Sequence, residues 1–145
     1  MSRYEVGFAS VAAAAAAAYQ EIRATATKPL QILELGFFCN AATASSVGFG
    51  RPATAGTATG ATTVQADRSG DATGTATTAS TWSAAPTAPT VFHRRIVLPA
   101  SIGAGVIWQW PPGVLTIPVS GSMVLWNFGG AAGSVLNGYF VVDEV

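Results

Sequence analysis

Few residues in this chain have types suited to chemistry. His93 is the single histidine and Cys39 the single cysteine among 145 residues. Together they could form a thiol–imidazole pair for nucleophilic attack. No acidic residue accompanies them to orient the imidazole, however, and no reactive-cysteine motif surrounds Cys39, which ends an apolar run as a small core residue would. A metal site needs several His, Cys, Asp or Glu side chains at a ligand spacing, which one His, one Cys and scattered acids do not supply. Asp67 and Asp71 flank Arg68 in a Thr/Gly-rich stretch and could take part in a calcium site. Loop solvation and a local pair with Arg68 are the simpler account. Asp143 and Glu144 are adjacent, and neighbours in a regular strand face opposite ways, so they cannot act together on one substrate. There is no glycine-rich phosphate loop ahead of a helix and no Gly-x-Ser-x-Gly elbow. The expectation is a protein without catalytic residues, cofactor or metal.

The aromatic residues offer binding rather than catalysis. Trp108 and Trp110 could form a sugar-stacking platform, a core pair or an anchor between subunits. Pro111-Pro112 follow at once, and the Asp, Asn or Glu that a sugar site recruits are not nearby, which favours a structural role. His93-Arg94-Arg95 could touch nucleic acid, but three residues in a chain of zero net charge read better as a salt-bridged rim.

The elements that position these residues read as β-strands. Between residues 96 and 128, short β-branched and aromatic runs are separated by Pro-Ala-Ser, Pro-Pro-Gly and Ser-Gly-Ser. Gly and Pro set turn dihedrals, Pro cannot donate to a ladder, and a helix does not survive such a density of both. Within Trp108-Gln109-Trp110, strand alternation puts both indoles on one face and the glutamine on the other. Residues 2–11 alternate with Tyr4, Val6 and Phe8 on one face, as a first strand or an extended arm. The alanines at 12–18 have high helix propensity, yet they span barely two turns with no N-cap and no large side chain to bury. They read as a packed extended or loop segment leading into a strand, ahead of a short helix.

Leu30 to Asn40 is apolar on both faces, as a central strand would be, with Leu33, Leu35, Phe37 and Cys39 as the better core face. Glu34 takes the other face, where Gly36 leaves room for a chain or loop to approach. Residues 45–52 form a further strand, ending at Arg51-Pro52. Residues 53–90 are almost wholly Ala, Thr, Gly and Ser, without a fixed period and with too little apolar bulk to fold alone. Long loops with one or two strands are expected there, one around residues 77–83, held to the body by Val64, Trp82 and the two Ala-Pro pairs; plain disorder is the alternative. In the last strand, Tyr139, Val141 and Asp143 take one face and Phe140, Val142 and Glu144 the other. The sum is about eight or nine strands, and the expected fold is all-β, a single-domain antiparallel β-sandwich over residues 1–145 with long Thr/Ala/Gly-rich loops.

Composition agrees with that reading and narrows the partners. Only 10% of residues are charged, against roughly 25% in soluble domains. A surface supplied by Thr, Ser and Gly, with six of seven cations arginine, suits a protein whose surface is covered by protein partners. Zero net charge gives no long-range attraction for nucleic acid or an anionic membrane, and no apolar run reaches the roughly 18 residues of a membrane helix. The alanines at 12–18, preceded by Glu5 and followed by Gln20-Glu21, do not read as a signal peptide.

Several stretches resemble the small head proteins of tailed double-stranded DNA bacteriophages. They are Leu33-Glu-Leu-Gly-Phe-Phe-Cys-Asn-Ala-Ala-Thr-Ala, Val47-Gly-Phe-Gly-Arg-Pro and Trp82-Ser-Ala-Ala-Pro-Thr-Ala-Pro. Arg94-Arg95 with Leu98-Pro-Ala, Gly103-Ala-Gly-Val-Ile-Trp-Gln-Trp-Pro, Ser122-Met-Val-Leu-Trp-Asn and the terminal Asp143-Glu144 belong with them. The likeness is to capsid decoration, or cement, proteins and runs over most of the chain. Its motifs are packing and turn signatures, and it is weakest at residues 12–18 and 53–90. It implies a jelly-roll-like β-sandwich, assembled as a homo-trimer on the exterior of the virion capsid, made in the host cytoplasm, with the major capsid protein as partner. On that expectation Arg3, Tyr4, Phe8, Arg94, Arg95, Trp108 and Trp110 form the capsid or subunit interface, with residues 2–11 as a gripping arm. A glycan- or receptor-binding module of a tail or head fibre, using the Trp108/Trp110 face or the Thr/Ser loops, is the alternative.

Overall fold

Alternation of apolar and polar residues, interrupted by Gly and Pro, produces strands along the whole chain. A computed structural model describes residues 2–145. In chain order the strands are β1 (Ser2–Ala9), β2 (Ala18–Arg23), β3 (Leu30–Cys39), β4 (Ser45–Pro52), β5 (Thr57–Ala58), β6 (Thr62–Thr63) and β7 (Gln65–Ala66). Then follow β8 (Thr77–Ala79), β9 (Trp82–Ala84), β10 (Pro89–Leu98), β11 (Gly105–Gln109), β12 (Thr116–Ile117), β13 (Ser122–Asn127) and β14 (Leu136–Glu144). Eight of these run five residues or more, and no helix occurs among the described residues.

The first sheet has the order β11-β3-β14-β1-β7, with β12 also on β3; the second has the order β10-β4-β13-β2-β8-β6; β5 and β9 form a separate ribbon. Every pair is antiparallel. One core fills the space between the two large sheets. Val6, Leu35, Phe37, Trp108, Phe140 and Val142 come from the first, and Tyr19, Ile22, Val47, Phe49, Met123 and Leu125 from the second. Two facing antiparallel sheets with a shared apolar interior make an all-β sandwich.

Three local outcomes follow from particular residues. Residues 12–18 form no helix: Ala16 adopts φ 53° within a turn, and the chain enters β2 at Ala18. The N-terminal segment is not a free arm. β1 pairs with β14 over its whole length, from Ser2 opposite Glu144 to Ala9 opposite Asn137, and its other edge carries β7. The core phase of β3 also differs from simple alternation. Leu30 and Ile32 face inward before an irregularity opposite Val141 and Val142, and Leu35, Phe37 and Cys39 face inward after it. The extra residue is Leu33, which stays buried at 8% exposure but falls outside the central cluster that alternation assigns to it.

Residues 53–88 are ordered by anchors rather than by bulk. Val64 is fully buried in the core beside Tyr4. Trp82 packs on a second cluster, Ala18, Val124 and Trp126, outside the second sheet, where Phe92 and Phe128 join it. There Glu21, 3% exposed, accepts the Trp82 indole N–H at 2.8 Å and the Gly56 amide at 3.0 Å. A buried carboxylate is tolerable only with such donors. The expected strand around residues 77–83 is two short strands, β8 and β9, in different sheets.

Candidate functional site

Cys39 and His93 are not brought together. The cysteine is buried on the first sheet beside Ser45, whereas His93 is exposed on β10 of the second. Partial burial, then the nearby Arg51 charge, lowers the His93 pKa. Among the described residues, no group of three or more His, Cys, Asp or Glu could hold a metal ion. Asp143 and Glu144 take separate partners, Arg3 and Lys28, as expected of neighbours on one strand.

The seven residues expected at an interface divide by burial. Tyr4, Trp108 and Trp110 are 5%, 6% and 8% exposed and pack in the core, which leaves little of each side chain to meet a partner. Trp108 packs edge-on against Phe37, and Trp110 lies against Phe49. Phe8 is half-buried against Phe140. Arg94 stacks 4.7 Å over Trp110 and donates to the Gln109 carbonyl at 3.1 Å, tying edge strand β10 to edge strand β11. Arg95 lies outside the second sheet, 4.0 Å over Phe128. Arg3 is paired with Asp143 on the first sheet. Arg3, Arg94 and Arg95 thus stay near the surface, each already engaged within the chain.

Sequence reasoning missed the side chains that are most exposed. Of eight large apolar residues exposed among the described residues, six (Val91, Val97, Ile102, Ile107, Val114 and Val119) fall between residues 91 and 119. A seventh, Phe38, pairs with Gly105 of β11. Most of this segment runs along one margin of the sandwich, where β10 and β11 each end their sheet and β12 lies beside β11 on β3. Val119 instead sits on the crossing to β13, where the Ser120 amide donates to the Thr25 carbonyl. No large apolar side chain is exposed on the opposite margin, β7, β8 and β6. A signal was present in Ile96-Val97, since two consecutive branched residues in a strand cannot both face a core.

The outer face of the first sheet carries a cleft of about 490 Å³, lined by Arg3, Leu33, Glu34, Gln109, Trp110, Pro111, Pro112 and Val141. Glu34 accepts the Tyr139 hydroxyl and the Gln109 side-chain amide. The Gln109 and then the Tyr139 hydrogen bonds hold the Glu34 pKa below the usual carboxylate range, and the same carboxylate pushes the Tyr139 hydroxyl up to about 12. The tyrosine ring lies over Gly36, where an added Cβ would fall 2.5 Å from ring Cε1. That side chain makes the close approach for which Gly36 leaves room.

Comparison with protein-family models, curated proteins and solved structures gives no match.

Proposed function

We propose that this chain is a structural virion protein, a capsid decoration or cement protein that binds the outside of a phage head and braces the shell against the pressure of packaged DNA. The observation that carries the proposal is the apolar margin formed by residues 91–119. Large apolar side chains exposed along β10, β11 and the turns that join them, with none on the opposite margin, suit a surface that a partner covers. Arg94 and Arg95, on the same strand, suit the rim of a protein contact. The resemblance of the Leu33, Val47, Gly103 and Ser122 motifs to decoration proteins supports the same reading.

The strand order supports the jelly-roll form. The eight long strands fall into two sets of four, β11-β3-β14-β1 and β10-β4-β13-β2, in which strands successive along the chain alternate between sheets except at β4 to β10. The partner is the major capsid protein, the site the virion exterior, and the assembly a homo-trimer, with the β10–β12 margin in place of the N-terminal segment as the gripping element.

Co-sedimentation with expanded capsids assembled without this protein tests the proposal. Saturable binding at a stoichiometry near that of the major capsid protein is expected, with Val97→Glu and Ile102→Glu each weakening it while the purified variants stay folded. Binding of a few copies or none by the natural chain refutes the cement function. Full binding by both variants refutes the margin.

A further inference from the structure

We infer that the cleft on the outer face of the first sheet is a binding site for a neutral pyranose sugar, and that Glu34, Gln109 and Arg3 read its hydroxyl groups. The inference does not rest on capsid binding.

The cleft is built by the bulge in β3. In a regular strand Leu33 and Glu34 would face opposite ways, yet both line this cleft, because the bulge turns Leu33 away from the central cluster. Bulges commonly re-aim side chains in this way at binding sites. Residues from β1, β3, β11 and β14 contribute, so the polar groups stand on a hydrogen-bonded sheet rather than on a loop.

The polar groups are fixed before any ligand arrives. Glu34 is held from two sides by Tyr139 and Gln109, and it is ionised at neutral pH because both partners favour the charged form. Arg3 is held by Asp143, with Nε to Oδ1 at 3.3 Å and Nη2 to Oδ2 at 3.5 Å, and its side chain is half exposed. Its remaining N–H groups can donate to a ligand. An ionised acceptor and a cationic donor on one apolar floor of Leu33, Val141, Pro111 and Pro112 suit a ring with hydroxyls on its rim and C–H groups on its faces. Glu34 disfavours anionic ligands, and Arg3 disfavours cations. Trp110 completes the floor, while the Tyr139 ring lies over Gly36 and braces Glu34 through its hydroxyl. The cross-strand neighbours of Tyr139 on β3 and β1 are Gly36 and Gly7, so no side chain stands beside it on either strand. The cleft volume lies within the roughly 300–1,000 Å³ of small-ligand sites. Of the Trp108/Trp110 pair only Trp110 lines the cleft, because Trp108 faces the core, so the two indoles do not form a stacking platform here.

The test is a titration of the full chain followed by amide chemical shifts, with the methyl pyranosides of glucose, galactose, mannose and N-acetylglucosamine as probes. At least one should give saturable, millimolar shifts confined to residues 3, 33–34, 109–110 and 139–141. The corresponding methyl glucuronide should bind several-fold more weakly than methyl glucoside. Glu34→Gln and Gln109→Ala, both surface substitutions whose own spectra report folding, should each weaken binding at least tenfold. No saturable shift with any of the four sugars overturns the proposal. Shifts centred elsewhere, or binding unchanged in both variants, overturn it equally.

Discussion

Replacing Glu144 with alanine should remove a large part of the stability of this sandwich, because one carboxylate ties the last strand to the Thr/Ala/Gly segment. Its Oε1 accepts the Thr75 amide, the Thr75 hydroxyl at 2.9 Å and the Ala76 amide at 2.7 Å. Its Oε2 accepts Lys28 Nζ at 3.3 Å, and its side chain is 3% exposed. Glu144→Ala strands two backbone donors, each costing about 1–3 kcal/mol when buried without a partner. The Thr75 amide is only part-buried, so the sum expected is about 2–5 kcal/mol, against total stabilities of about 5–15 kcal/mol. Glu144→Gln keeps one acceptor oxygen but turns charge-assisted bonds into neutral ones, and should cost about 1–2 kcal/mol. Urea unfolding followed by tryptophan fluorescence gives the order: natural chain, then Gln, then Ala. The pH dependence has a definite sign. Burial alone would raise the Glu144 pKa, but the Ala76 and Thr75 amides, the Thr75 hydroxyl and Lys28 outweigh it and hold the value below the usual range. A depressed folded pKa contributes stability that is fully present above the unfolded value of about 4.3 and is lost as pH falls through the folded one. The gap between the natural chain and Glu144→Gln should therefore narrow on acidification below about pH 4. A Glu144→Ala variant within about 0.5 kcal/mol of the natural chain would behave like an ordinary surface substitution and refute the reasoning. So would a gap that widens in acid.

Two further outcomes follow from buried groups. Trp82→Phe removes the indole donor and leaves the buried Glu21 Oε2 without it, so it should cost about 1–3 kcal/mol and speed amide hydrogen exchange across residues 53–88. Unchanged exchange there would show that other contacts hold the segment. Cys39, 2% exposed, should react with a thiol reagent only as fast as the protein opens. Labelling at the rate of a free thiol in the folded protein would contradict its burial.

Much of the fold was legible in the sequence, because it lies in short-range pattern. The alternation of Tyr4, Val6 and Phe8, the shared face of Trp108 and Trp110, and the two faces of β14 all emerge as period two predicts. The alanines at 12–18 form a loop because nothing in them can pack a helix against the body. What pattern could not supply was pairing. Leu33 breaks phase because β14 offers one residue fewer opposite it, a property of two strands rather than of one. Glu21 alternates like a surface residue, yet it is buried, since its cover comes from Trp82 and Gly56, many residues away. The candidate sites were half legible. Glu34 and Gly36 marked the face of β3 that carries the cleft, but Tyr139 and Gln109 reach them only across strands. The exposure of Val97 on β10 and of Ile102 in the turn after it depends on no further strand covering that margin.

The place of β14 between β3 and β1 has a consequence for assembly in time. A ribosome delivers β1 first and β14 last among the described strands, so the first sheet remains two fragments until the final strand emerges. Until then β1 and β3 both present open ladders, and the inward faces of Leu35 and Phe37 lack the Phe140 and Leu136 side chains that flank them. Folding should accordingly be slow and all-or-none, dominated by contacts between distant parts of the chain. Clipping the chain ahead of β14 would not merely shorten it. It would create two new sheet edges in the middle of the molecule, the template from which strand-to-strand aggregation grows.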